Sequence, residues 1–327
     1  MPDTSEHDVT IQQYREACDA SAAVRLGDST AFATASDEDY VLRVYDSREP
    51  GPPISRLDVT AHLAPRDPAK EPDIEGAAVI EDRVYWITSH GRDKDGDEQE
   101  ARQRLFATAV RQAGAQPVLQ PTGRAIRTLL RDLTHTPSLE RFDLKGAARL
   151  APEAQGGLNI EGLAPTPEGD LLVGFRNPVR DGRALVVRLR NPRDLVEGRA
   201  DTADLTLAGE LDLGGRGLRA MEYVPSLRVY FLIGGAFDDT GNFGLFRWSG
   251  RASEPAVQIR TNALSGLQPE ELTAKAGQNG SVTIDAFSDD GDRETSGKKC
   301  KKLDDPRRRS FRVVRFTLTP SRAEGSP

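Results

Sequence analysis

Short, dense apolar runs separated by polar turns recur along the chain in sets of three or four. One set of runs reads "TAFATA", "RVYWITS", "DLLVGF", "RVYFLIGG" and "SVTIDAF". Each is followed by another: "YVLRVYD", "RLFATAV", "ALVVRLR", "FGLFRWS" and "FRVVRFTL". These have strand length and are rich in β-branched and aromatic residues, with strict alternation in "VLRVY" and "FRVVRF". A weaker fourth run follows in "ISRLDV", "PVLQP", "LTLAGELDL" and "PAVQIRT". Gly, Pro, Asp and Asn lie between the runs, where turns need them. Ahead of each set stands a short polar–apolar motif: "DASAAV", "DIEGAA", "NIEGLA", "AMEYV" and "PEELT".

Strand–turn–strand units of this length cannot bury both faces alone, and a closed ring in which each sheet covers the next solves the problem. The pattern therefore predicts an all-β, five-bladed β-propeller in a single domain, with six blades as the alternative. The blades are expected over 18–60, 72–120, 157–213, 217–261 and 268–318. The fifth lacks an obvious fourth strand, and residues 9–14 ("VTIQQY") are expected to supply it and close the ring. Residues 121–156 break the repeat. There Ile126, Leu129, Leu130 and Leu133 have helical spacing before Pro137, so a short helical insertion is expected between blades 2 and 3. Residues 319–327 read as a disordered tail.

Composition agrees with thin layers: 37% hydrophobic residues is little for one thick core in 327 residues. A net charge of -7 disfavours nucleic acid as a partner. No window is apolar enough for a spanning helix, so no membrane partner is expected, and the opening residues do not read as an export signal. Two cysteines, Cys18 and Cys300, are too few for a disulfide framework. Free thiols and a cytoplasmic location follow as expectations, although ring closure would bring the two sulfurs near each other.

In a propeller the inner strand of each blade lines the channel, and its start shares a face with the loop joining the second and third strands. Aligned on the motif's polar position, the repeat gives Ser21, Glu75, Glu161, Glu222 and Glu271 around one mouth. Carboxylates so gathered repel one another and call for a cation or raised pKa values. Oxygen donors suit Ca²⁺ or Mg²⁺; hydrogen bonds to backbone or channel water are the competing use. The loops above that mouth hold Asp37 and Glu38, His90 and Arg92, Arg176 and Asn177, and Asp289 and Asp290. His90, Asp289 and Asp290 are the candidate acid–base groups. Arg92, Arg176, Asn177, Asp37 and Glu38 are the candidate substrate contacts, the guanidinium forks suiting an anion. The run Lys298, Lys299, Lys301 and Lys302 reads as a solvated charged insertion. Walker, nucleophile-elbow and zinc motifs are absent from the sequence.

The segments "DIEGAA" with "ITSHGRDKDG", "GLNIEGLAPTPEGDLLVGFRNPV" and "SDDGD…CKKL…FRVVRF" resemble the bacterial domain of unknown function 3616 family, across nearly the whole chain. The "EGLA" segments are also similar to esterase-like phytase propellers. Ser and Glu on inner strands resemble the five-bladed calcium-activated nucleotidases (apyrases), and that resemblance implies a central calcium at Ser21, Glu75, Glu161, Glu222 and Glu271. Two functions are thus expected from the sequence. One is a metal-dependent hydrolase of a small phosphorylated or anionic substrate. The other is a non-catalytic propeller that binds a small ligand or a protein and holds a structural ion.

Overall fold

The computed structural model describes residues 4–114, 116–238, 240–295 and 297–320. Twenty of its strands form five antiparallel four-stranded sheets. After β1 (Thr4–Arg15), blade 1 holds β2 (Ala22–Arg25), β3 (Ala31–Ala35), β4 (Val41–Asp46) and β5 (Ser55–Asp58). Blade 2 holds β6 (Ile74–Ile80), β7 (Arg83–Thr88), β8 (Leu105–Ala113) and β9 (Gln116–Ile126). Blade 3 comprises β10 (Asn159–Pro165), β11 (Leu171–Arg180), β12 (Arg183–Leu189) and β13 (Leu205–Asp212). Blade 4 comprises β14 (Gly217–Val224), β15 (Val229–Gly235), β16 (Gly244–Trp248) and β17 (Val257–Ile259). In blade 5, β18 (Pro269–Ala276) and β19 (Val282–Ser288) precede a small hairpin, β20 (Glu294–Thr295) and β21 (Lys298–Lys299), and then β22 (Ser310–Pro320).

The fourth strand of blade 5 is β1, which runs antiparallel to β22 from Thr4↔Pro320 to Arg15↔Ser310. Behind it, Tyr14, Phe32, Tyr45, Phe287 and Phe311 form an aromatic cluster between blades 5 and 1, with ring centroids 5.0 to 5.7 Å apart. Each of the other four seams has its own apolar cluster. Such a chain needs no single thick core, which accounts for its modest apolar content.

Strand β9 continues through Ile126, so the helical insertion starts at Leu129 and not at residue 121. Its helices, Leu129–His135 and Leu144–Ala147, and the 3-10 helix between them, Pro137–Phe142, bury Leu129, Leu133, Leu139, Phe142 and Leu144 against the seam of blades 2 and 3. Among the described residues this segment forms no sixth sheet. Residues 319 and 320 end β22, and the rest of the expected tail, 321–327, lies outside the described residues.

The inner strands share one irregularity that governs the channel. Ile74 pairs with Thr88 but Gly76 with Ile87, leaving Glu75 as an extra, bulged residue. The same slip leaves Glu161 between Ile160↔Phe175 and Gly162↔Gly174. It leaves Arg219 between Leu218↔Gly234 and Ala220↔Ile233, and Glu270 between Pro269↔Ser288 and Glu271↔Phe287. Small residues follow because neighbouring inner strands nearly touch. A Cβ on Gly76 would lie 2.9 Å from the Glu161 carbonyl oxygen. In blade 1, Ser21 sits just before the ladder opens at Ala22↔Ala35. The structural ring is therefore Ser21, Glu75, Glu161, Arg219 and Glu270. The sequence alignment was off by three residues in blade 4 and by one in blade 5, so Glu222 and Glu271 are not members of it.

Candidate functional site

The bulges turn side chains from different blades toward one another. Arg219, 3% exposed, has Nε 3.6 Å from Glu161 Oε2 and Nη1 3.2 Å from Glu270 Oε1. Arg176 Nη1 donates to Glu161 Oε1 at 2.9 Å, and Asn159 Nδ2 donates to the same oxygen at 2.9 Å. One half of the mouth is thus a relay of guanidinium, amide and carboxylate groups contributed by blades 3, 4 and 5.

The other half is acidic. Burial holds the Asp37 carboxyl well above the usual range, and Asp19, Glu270, Asp73 and Asp289 push it further. Burial does the same to Glu75, reinforced by Asp73, Glu161, Glu270 and Asp37. Glu270 is raised by burial and by Asp289 against the pull of Arg219. Asp19 is pushed up to about 7 by burial and Asp289, although Ser36 Oγ donates to it at 2.6 Å. Asp73 has a counter-ion, Arg102 Nη1 at 2.9 Å. Asp289, also raised by burial, accepts the Gly291 N–H at 2.6 Å. For Asp37 and Glu75, no side-chain hydrogen bond or ion pair is found among the described residues. Two carboxylates from adjacent blades are thus within electrostatic reach of each other without a counter-ion among the described residues, a costly arrangement in a partly dry channel.

Of the residues expected from sequence, Glu75, Glu161, Asp37 and Asp289 meet at this mouth. The Ser21 hydroxyl donates to the Ile74 carbonyl at 2.7 Å, tying blade 1 to blade 2. Glu222 lies farther along β14; burial lifts it to about 8 despite the Ala274 N–H and Arg25. Glu271 turns back to accept the Leu272 N–H at 2.8 Å, and burial raises it well above its ordinary value. Glu38 is half-buried, 3.9 Å from Arg309. Asp290 is gripped by Arg312, whose Nη2 and Nε lie 2.6 and 2.8 Å from its oxygens.

His90, buried, has Nδ1 2.8 Å from the Thr88 carbonyl oxygen, and burial pushes it down to about 4. The ring is therefore neutral, with Nδ1–H donating to that carbonyl. Arg92 donates to the Ala148 and Gly96 carbonyls, 2.9 Å each, and so pins its loop to the helical insertion. Asn177 Nδ2 donates to Pro152 and Ala154 carbonyls at 2.8 and 2.7 Å. Arg176 also reaches the Ala236 carbonyl at 3.1 Å.

Sequence reasoning missed Asp19, Asp73, Arg219 and Glu270. The first two opened motifs already singled out, "DASAAV" and "DIEGAA"; the others required the bulge. Carboxylate oxygens of Asp37, Glu75 and Glu270 are the right donors for a hard cation. Even so, no three His, Cys, Asp or Glu side chains among the described residues stand close enough together to hold a metal ion as they are. No helix of the structure is long and apolar enough to cross a membrane.

Residues 120–296, over half of the chain, match the family described as "Protein of unknown function (DUF3616)". No curated protein matches the sequence. Among solved structures, a glutaminyl cyclase of Myxococcus xanthus is 13% identical at a TM-score of 0.41, covering 95% of this chain and 97% of its own. A Thermus thermophilus protein described as a "putative oxidoreductase (glucose dehydrogenase)" is 15% identical at 0.40, with 94% and 100% covered. An engineered GH43 glycoside hydrolase is 10% identical at 0.45, covering all of this chain and 58% of its own. Likeness at this level carries no activity across.

Proposed function

We propose that this chain, which belongs to the DUF3616 family, uses the acidic half of its channel mouth as a cation-dependent binding site for a small ligand. The observation that supports this most is the pair Asp37 and Glu75, both raised by burial and by the charge of Glu270 and lacking a counter-ion among the described residues. A divalent cation, Ca²⁺ or Mg²⁺, is the simplest species to satisfy oxygen donors of this kind. Binding would draw the three carboxylates inward, since they are not yet at ligand distances. Such an ion supplies positive charge for an anionic group of the ligand. Arg176 and Arg219 hold Glu161 and Glu270 in position and so shape the opposite wall.

Hydrolysis is the second reading, and one observation favours it. Asp19, at about 7, has the proton affinity of a group that gives and takes protons near neutrality. His90 and Asp290, committed to Thr88 and Arg312, are weaker candidates for that role.

The test is thermal unfolding with CaCl₂ or MgCl₂ in excess, for wild type, Glu75→Gln and Asp37→Asn. A cation at 100 times its Kd adds about 2.7 kcal/mol, about 4 °C for a chain of this size. Both variants should lose that gain. A wild-type melt indifferent to either cation refutes the proposal. Cation-dependent turnover of a phosphate or carboxylate ester, lost in Asp19→Asn, would establish the second reading.

A further inference from the structure

Cys18 and Cys300, expected as free thiols, form a disulfide across 282 positions of sequence. That pairing also removes the argument for a reducing compartment that rested on them. Cys18 immediately precedes Asp19, and Cys300 sits in the 289–309 loop between β19 and β22. The bond is part of a stitched seam. The Asp290 N–H donates to the Cys18 carbonyl at 2.8 Å, Cys300 N–H to Arg293 at 2.9 Å, and Lys301 N–H to Gly291 at 3.0 Å. These contacts flank Asp289, whose own N–H donates to the Gln268 carbonyl at 2.8 Å and whose charge acts on Asp19, Asp37 and Glu270.

The bond is not the ring's sole closure. Strand β1 on β22 and the aromatic cluster already join blades 5 and 1. The loop, in contrast, is mostly charged and exposed, and Cys300 and Leu303 are the buried side chains of its 298–309 portion. We propose that oxidation of Cys18 and Cys300 is the maturation step that completes the channel mouth, by locking the Asp289 loop onto blade 1 of an already closed propeller. This rests on the mouth being the functional site.

The chemistry is thiol–disulfide exchange with an external disulfide such as oxidised glutathione. One cysteine thiolate attacks it and displaces one glutathione thiol; the other thiolate then displaces the second. The protein gives up two electrons and two protons, and the oxidant leaves as two thiols. Both sulfurs end buried, at 1% and 3% exposure, so the product resists reduction until the loop opens.

The experiment compares oxidised wild type with Cys18→Ser/Cys300→Ser, reading hydrogen exchange in 289–309 and Ca²⁺ affinity by titration. Circular dichroism of the variant should show the same β content. Exchange in the loop should rise about tenfold or more, and Ca²⁺ affinity should fall about tenfold. Unchanged exchange overturns the clasp. Faster exchange with unchanged affinity overturns its role in the mouth. Should neither protein bind Ca²⁺, the cation reading fails while exchange still decides the clasp. Should the variant not fold, wild type kept in excess dithiothreitol throughout refolding replaces it; failure there too overturns the claim that the ring closes without the bond.

Discussion

Glu222 makes the channel's electrostatics measurable through stability. Burial lifts its carboxyl from 4.5 to about 8. Between those values the folded chain holds a proton that the unfolded chain has released. Its stabilising contribution is therefore complete below about pH 4.5 and is lost as pH rises through about 8. A displacement of that size is worth about 5 kcal/mol in a dry site. Glu222 keeps some contact with solvent, and screening reduces the expected swing to about 2–3 kcal/mol. Glu222→Gln keeps an oxygen for the Ala274 N–H and cannot ionise. Urea unfolding in EDTA, followed by fluorescence of the buried Trp86 and Trp248, should show the two proteins nearly equal at about pH 4. The variant should be more stable by about 2–3 kcal/mol at about pH 9. Because Asp19 and its neighbours titrate in both proteins, the difference between the curves reports Glu222 together with its influence on Glu271. Parallel curves from acid to alkali would refute the reasoning.

Arg219→Gln strips the guanidinium from between Glu161 and Glu270, both inside the mouth. Removing one partner of a buried ion network costs about 3–5 kcal/mol, readable in the same urea assay, and a loss under about 1 kcal/mol would show that the relay contributes little. Gly217→Ala would place a Cβ 1.8 Å from the Arg176 carbonyl oxygen. The resulting backbone shift should cost about 3 kcal/mol and weaken any Ca²⁺ response; a wild-type melting temperature would contradict the close approach of blades 3 and 4.

The propeller was legible because its evidence recurs: five successive sets of strand-length apolar runs, though irregularly spaced, survive errors in any one boundary. The mouth was legible as a neighbourhood, and Asp37, Glu75, Glu161 and Asp289 were all placed in it. The identities in blades 4 and 5 were not. A bulge is one unpaired residue, and its position is set by how neighbouring inner strands pack, which "GLRAMEYV" and "QPEELT" do not announce. A glutamate one or three residues from the bulge fits the motif equally well, as Glu271 and Glu222 do. Arg219 escaped because the search was for an acid, whereas the ring substitutes a base there and so partly neutralises its neighbours. The disulfide escaped for a different reason. Topology brought the two sulfurs near, but an assumed cellular setting was allowed to overrule that geometry.

The pairing of β1 with β22 also sets an order of events. The first strand of the chain has no partner until the last has been made, so during synthesis its edge must wait while four blades form from local hairpins. Joining ends so far apart carries the largest loop-closure cost in the molecule, and non-local pairings of this kind slow folding. Ring closure is therefore the natural last step of sheet assembly, ahead of the Cys18–Cys300 bond, and until it occurs the exposed edges of β1 and β22 are where two nascent copies would exchange strands.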